Sequence, residues 1–276
     1  MKSNKTTLEI KSNKRIFSNL LGEHSSVFSG NGMEFKELRQ YNSGDDIRHI
    51  NWKVTARTNT PTINIYNEDK QLNVVVVYLN SGSSYFGTQI SKKDIMQQIF
   101  SIVSNSVVAK KDTLTSVIFN TKEEKFYKPT KHKAIVNIVM DYITNSKSLG
   151  NSVDYKNLSE YLLSKIKQKS LVFIIGDFLQ MPDFRYIGAK HEVYCIIVRD
   201  RFEEDLKLLG EFDLIDTNNG NSENIFLDSG TVKKYNQQMK QHDAQLFTHF
   251  KYSNIRYKKI YTTDDVMIKL QQLTRG

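Results

Sequence analysis

Only one cysteine, Cys195, occurs in the 276 residues, so no disulfide can close within the chain. It sits inside the apolar run VYCIIV, where a thiol is expected to be buried and inert. Long apolar runs are missing as well. The longest, 74–79, is strand-sized, whereas a spanning helix requires roughly 18 to 20 apolar residues. The opening stretch MKSNKTTLEIKSNKR carries charge but no apolar segment of the kind a secretory signal needs. These absences lead to the expectation of a cytoplasmic protein with no membrane span. The sequence also lacks a nucleophile elbow, a P-loop, an H-E-x-x-H and a C-x-x-C. Its six histidines are dispersed. No catalytic residue set is expected, and the chain reads as a non-enzyme.

Charge is present, and it is unbalanced. Lys and Arg number 39 against 30 Asp and Glu, a net +9. Such a balance permits contact with nucleic acid, an anionic surface or an acidic protein. The basic residues are scattered, however, and the densest groups (Lys110-Lys111, Lys131-His132-Lys133, Lys258-Lys259) are short. There is no basic arm, zinc-finger spacing or RNP-type aromatic stretch. A solvated lysine-rich surface is expected, with no nucleic-acid partner.

The chain alternates between strand-like and helix-like patterns. Residues 1–30 are polar apart from a short apolar group at 16–21 that suggests one short helix, and 29–32 reads as a loop. Strands are expected at 62–66, 72–79, 114–120, 171–175, 191–198 and 255–261, with 67–69 as turn material. The valine-rich 72–79 run has the pattern of a strand buried on both faces. Helices are expected at 90–111, where Ile95, Ile99, Val103 and Val107 form one stripe, and at 134–143, 158–166 and 232–250. A last helix is expected from Thr263, with Asp264 and Asp265 in its first turn. Residues 212–215 and 225–227 suggest a hairpin across Asn218-Asn219-Gly220. Strands alternating with helices predict an α/β fold, a mostly parallel central sheet with helices on both faces.

In such a sheet ligands bind beyond the carboxyl ends of the strands. Two of those ends stand out. The strand at 72–79 runs into Asn80-Ser81-Gly82-Ser83-Ser84, and the strand at 171–175 runs into Gly176-Asp177. A hydroxyl-rich loop facing an Asp suits a hard cation such as Mg²⁺.

The densest motif precedes the core: residues 32–57, GMEFKELRQYNSGDDIRHINWKVTAR. Three readings stay open. Asp45, Asp46 and His49 could form a metal or catalytic site. Alternatively, Asp45 or Asp46 accepts from Arg39, Arg48 or Arg57 in a rigid structural network, with Trp52 packed against the sheet. The third reading is a partner surface, since Arg and Trp favour interface hot spots. Asp45 could also cap a short helix at 46–53.

Taken with Gly30, Gly32, Glu34, Phe35, Arg39, Tyr41, Gly44, Asp45, Asp46, Arg48, Ile50, Trp52, Ala56 and Arg57, this segment resembles the signature of domain-of-unknown-function family 58. The resemblance continues through the 72–79 strand, Lys111-Asp112, Gly176-Asp177-Phe178 and Asp200–Glu203. It implies a von Willebrand factor A-like core, residues 61–276, preceded by an N-terminal extension, residues 1–60, packed on it. It also implies a protein partner, a MoxR-type AAA+ ATPase, in assembly, maturation or stress handling of other proteins. Members of the family often carry a metal-ion-dependent adhesion site with the pattern D-x-S-x-S. Here Asn80 stands at the Asp position, Gly82 at the first Ser and Ser84 at the second, while Val153, beside Ser152, falls near the Thr; only Asp177 keeps a carboxylate. No tightly bound cofactor is therefore expected. The alternative is a weak Mg²⁺ site on Ser84 and Asp177, with Ser83 or Ser152 as substitute hydroxyls; structurally, Ser84 and Asp177 could simply cap helices. Recognition is expected from the strand-end loops 80–88, 144–153 and 176–183. Two rival functions remain: a metal-dependent hydrolase using Asp45, Asp46 and Asp177, and a basic nucleic-acid-binding protein.

Overall fold

The computed structural model describes residues 32–69, 71–215 and 221–273. The short helix expected at 16–21, the loop residues 29–31 and the turn Asn218-Asn219-Gly220 lie outside the described residues. The described chain falls into two compact units that divide between Leu72 and Asn73.

The smaller unit is an antiparallel hairpin of β1 (Gly32–Gln40) and β2 (Thr62–Asp69) with the motif as its long connection. Residues 67–69, expected as a turn, are paired with 32–34 and extend β2. The expected boundary at residue 60 therefore falls within this unit, because ladder hydrogen bonds hold β2 to β1. The helix expected over 46–53 is instead two pieces. Ile47–His49 form a 3-10 turn capped by Asp46, and α1 (Trp52–Thr58) is capped by Asn51, whose Oδ1 accepts from Val54 N at 3.1 Å. Asn51 also donates from Nδ2 to Asn64 Oδ1 at 3.0 Å, tying the helix start to β2. The connection can turn at Gly44, where φ is +108°, a backbone state that penalises any Cβ.

The larger unit is α/β. Its elements are β3 (Asn73–Leu79), α2 (Lys92–Ala109), β4 (Thr113–Phe119), β5 (Glu123–Thr130), α3 (Ala134–Asn145), α4 (Tyr155–Lys165), β6 (Leu171–Gly176), α5 (Arg185–Lys190), β7 (Glu192–Arg199), α6 (Arg201–Glu204), β8 (Gly210–Ile215), β9 (Ser222–Leu227), α7 (Ser229–Tyr252), β10 (Ile255–Tyr261) and α8 (Val266–Gln272). Six strands make one sheet in the order β10-β7-β6-β3-β4-β5, and every neighbouring pair is parallel except β4–β5. β5 was not anticipated because EEKFYKPT has no apolar run. It is an exposed edge strand, where charge and proline are tolerated.

Alternation along the central strands splits the core. Val75, Val77 and Leu79 of β3 join Val172, Ile174, Cys195 and Ile197 in one cluster with Leu158 and Leu162 of α4 and Leu246 and Phe250 of α7. Tyr78 points the opposite way and meets Phe100 of α2 edge-on at 6.4 Å. Cys195 is buried as expected, and burial pushes its thiol well up. The hairpin β8–β9 pairs Phe212 with Ile225. The last helix starts at Val266 rather than Thr263: Asp265 accepts from Ile268 N as its cap, and Asp264 instead accepts from Tyr261 N.

Candidate functional site

The chain enters the sheet at β3, builds β4 and β5 on one side, then returns to place β6, β7 and β10 on the other. The carboxyl ends of β3 and β6 therefore flank a topological switch point, where crossovers diverge and leave a crevice. Gly176 lets the two strands close there, since a Cβ at that position would sit 2.6 Å from Leu79 Cδ1.

Asp177 follows at once, and it does not cap a helix. Its Oδ2 accepts from Ser83 Oγ at 2.5 Å, and Ser83 Oγ in turn contacts Ser81 Oγ at 2.9 Å. The same Oδ2 meets the Lys92 ammonium at 3.1 Å, and Lys92 also donates to Glu203 Oε1 at 2.6 Å. The Lys92 side chain has no exposure to solvent. Burial pushes the Asp177 carboxyl up, but Lys92, Ser83 and the nearby Arg199 outweigh it and hold the group below the usual carboxylate range.

Lys92 opens α2, behind the cap Ser91. A cation is disfavoured at a helix N-terminus, so its position there depends on the two carboxylates it meets. They are held from behind. Asp200 and Glu203 form a capping box on α6, and Asp200 Oδ2 accepts from Thr88 N at 3.0 Å and Thr262 Oγ1 at 2.7 Å. Phe178 takes a left-handed backbone with φ +50°, and its carbonyl accepts from the buried Arg199 Nη2 at 3.1 Å. Arg199 also faces Asp243 at 3.5 Å; Asp243 pairs with Lys259, which bonds Glu204 at 2.7 Å. The strand ends of β6, β7 and β10 are thus joined through Arg199, which meets the Phe178 carbonyl on one side and the partly buried Asp243–Lys259–Glu204 chain on the other.

The other residues of the expected cation site point elsewhere. Asn80 donates to Glu124 Oε2 at 2.9 Å, away from Asp177. Asn120 reaches the same carboxylate, whose pKa burial raises. Gly82 supplies only its N–H, to Asn151 O at 2.8 Å. Ser84 donates to Ser81 O at 2.7 Å and caps no helix. Ser152 makes no hydrogen bond within this cluster. Of the expected donors, only Ser83 and Asp177 converge. Among the described residues no group of three or more His, Cys, Asp or Glu could hold a metal ion. A divalent ion does not fit this arrangement, because an ammonium already occupies the face of Asp177 that it would need.

Lys92, Glu124 and Arg199 were not singled out from the sequence, and Glu203 only as part of the Asp200–Glu203 stretch. One signal was available for Lys92: a Lys-Lys pair in the first turn of an amphipathic helix, against the helix dipole.

In the smaller unit Asp45 accepts from Arg39 Nη2 at 2.8 and 3.0 Å and from Asn42 N at 2.8 Å. The Asn42 N–H leads in holding its carboxyl below the usual range, helped by Arg39. Asp46 accepts from Arg48 N, Nε and Nη2, which lowers it to about 2. The two carboxylates are thus engaged by arginines, as the structural-network reading requires. One part of that reading is corrected, the packing of Trp52, and one of the three arginines it offered is not used. Arg57 is exposed on α1 and has no carboxylate partner among the described residues. Trp52 is 69% exposed rather than packed, because it occupies the outward face of the first turn of α1. Ile47 beside it is also exposed. His49 lies on the 3-10 turn. Glu34 sits on β1 opposite Asn67, its side chain outside the described set.

The loops that follow β3, α3 and β6 each expose one large apolar side chain: Tyr85 (42%), Leu149 (58%) and Met181 (42%). The Gly82–Asn151 bond ties the first loop to the second, and Ser159 Oγ donates to Asp183 O at 2.7 Å, fixing the third against α4. Lys93 places its ammonium 5.0 Å from the Tyr85 ring centroid.

Among known proteins, the chain is 27% identical over 229 residues to uncharacterized proteins of Mycobacterium bovis and Mycobacterium tuberculosis, covering 78% of this chain and 70% of each of those. Among solved structures it is similar to the conserved hypothetical protein BatB from Bacteroides thetaiotaomicron, with TM-score 0.44, 12% identity, and coverage of 74% of this chain and 97% of that one. It is also similar to an aerotolerance-related membrane protein from Bacteroides fragilis, with TM-score 0.45, 10% identity and the same coverages. No helix among the described residues is long and apolar enough to cross a membrane. The model of the family described as "Protein of unknown function DUF58" matches residues 37–245, and the chain belongs to that family.

Proposed function

We propose that this protein is a non-enzymatic interaction module on a von Willebrand factor A-like sheet, acting in the cytoplasm as an adaptor for a MoxR-type AAA+ ATPase in the assembly, maturation or stress handling of other proteins. One observation carries the docking surface: Tyr85, Leu149 and Met181 are exposed on the three loops that follow β3, α3 and β6. Exposed apolar side chains on loops fixed by a rigid sheet are what a protein partner recognises. The carboxylate beneath them is committed to Lys92, so it offers neither a free base nor an open coordination position to a substrate. The nature of the partner is supported by the family resemblance, an associational warrant. The exposed Trp52 offers a second contact.

The test is titration calorimetry of the protein against a purified MoxR-type ATPase of the same genome. Replacing Tyr85, Leu149 and Met181 together by Ser is expected to weaken binding at least tenfold, about 1.4 kcal/mol, with melting unchanged. Unaltered affinity would remove the loops from the interface. A wild-type protein that does not bind would remove the ATPase as partner.

A further inference from the structure

We propose that Lys92 is the resident cation of the strand-end site: its ammonium does the charge-balancing work of a small divalent ion between Asp177 and Glu203, and deleting it opens the site to such an ion. The inference concerns the site itself and is independent of the partner.

Three observations carry it. First, Lys92 Nζ bridges two carboxylates from different elements, Asp177 after β6 at 3.1 Å and Glu203 of α6 at 2.6 Å. Second, hydroxyl oxygens stand beside the pair: Ser83 donates to the same Asp177 oxygen, and Ser81 lies behind Ser83, while the Phe86 ring centroid is 6.0 Å from the ammonium. Carboxylate and hydroxyl oxygens are the donors a hard cation takes, at about 2.1 Å for Mg²⁺, which keeps several of its waters. Third, the ammonium is sealed from solvent, and the Asp177 carboxylate beside it is almost fully withdrawn, so the pair is little screened by water. Two carboxylates face one ammonium, leaving one negative charge in the immediate set; a divalent ion would neutralise both.

This arrangement separates the chain from a metal-binding design that has merely lost ligands. Gly82 brings no side-chain oxygen, and Asn80 brings no charge: its Nδ2 donates to Glu124 at 2.9 Å and its buried Oδ1 has no partner among the described residues. In their place the helix that follows supplies the positive charge covalently. The lysine is always present, so the loops 80–88 and 176–183 are held together without regard to the concentration of any metal.

Lys92→Met tests this, because Met keeps most of the apolar stem and removes only the ammonium. The probe is Mn²⁺, followed by loss of its free-ion signal in electron paramagnetic resonance, with folding checked by circular dichroism. Wild type is expected to bind no Mn²⁺ that Asp177→Asn abolishes. Lys92→Met is expected to take one ion per chain, and Lys92→Met with Asp177→Asn to lose it. If Lys92→Met fails to fold alone but folds when Mn²⁺ is added, the replacement is demonstrated directly. The proposal is overturned if wild type binds Mn²⁺ at Asp177. It is equally overturned if folded Lys92→Met binds none, or if unfolded Lys92→Met is not restored by the ion.

Discussion

Lys92 Nζ stands 3.1 Å from Asp177 Oδ2, joining the first turn of α2 to the end of β6 across 85 residues of sequence, and both side chains are withdrawn from solvent. Breaking such a pair by removing one member leaves a buried charge without its counterpart, which costs about 3–5 kcal/mol. Lys92→Met strands Asp177 and Glu203 and should lower unfolding stability by that order in urea titrations, whereas Asp177→Asn leaves Lys92 paired with Glu203 at 2.6 Å and should cost less. Their combination should cost less than the two losses added, since Asp177 then carries no charge to be stranded and only Glu203 is left without the ammonium. Additive losses would show that the two groups do not interact.

A second expectation concerns mild acid. His191 is buried, and that burial lowers its pKa to about 4, with the neighbouring Lys190 adding to the shift. Its folded pKa is below the unfolded value near 6.5, so its contribution is fully present above 6.5 and is lost as pH falls towards 4. A shift of that size corresponds to roughly 3 kcal/mol. His249 is lowered in the same sense, chiefly by burial, and its Nε2 accepts from Phe184 N at 3.1 Å, a bond that requires the neutral ring. Denaturant stability should therefore fall between pH 6.5 and 4.5. His191→Phe should remove most of that slope, and a slope unchanged in this variant would refute the assignment.

Strong acid reaches a different group. Burial raises the Asp243 carboxyl, but hydrogen bonds from His242 and Lys259 and the charge of Arg199 bring it to about 2. Its folded pKa is depressed, so the stabilisation is complete above pH 4 and is lost as pH drops through 2. The stake is roughly 2 kcal/mol. Stability curves for wild type and Asp243→Asn should differ at neutral pH and converge in that window; parallel curves would contradict this.

The two acidic residues of the Gly-Asp-Asp motif should behave differently. Asp45 connects Arg39 on β1 to the backbone of Asn42, whereas the hydrogen bonds of Asp46 to Arg48 stay within its own 3-10 turn. Hydrogen exchange should show Asp45→Ala releasing the Asn42 amide and the end of β1. Asp46→Ala should release only the Arg48 amide and the turn. The same pattern from both variants would mean that the motif behaves as one cooperative unit.

What the sequence revealed follows from what its patterns encode. The buried strands 73–79, 171–176 and 192–199 were legible because valine and isoleucine runs bounded by polar turns have one physical reading. The same reading led to Asp177 and the serines after β3. β5 was hidden because an edge strand needs no apolar pattern, and β1 because its residues read as a motif rather than an alternation. Lys92, and with it the pairing role of Glu203, escaped notice because their link is long-range. Nothing local in KKDIMQQ or RFEED says that one ammonium will lie between two distant carboxylates. Trp52 was misplaced for a related reason: an aromatic residue carries no mark of whether its helix faces a core or solvent.

The most direct measurement is the melting temperature of the wild-type protein in excess EDTA and in millimolar Mg²⁺ at matched ionic strength. A protein that binds an ion only when folded is stabilised in proportion to RT ln(1 + [L]/Kd). With Lys92 as the resident cation, the two melting temperatures should coincide. A higher value in Mg²⁺ that Asp177→Asn abolishes would contradict the account, because the ion would then be seated where the lysine is said to be.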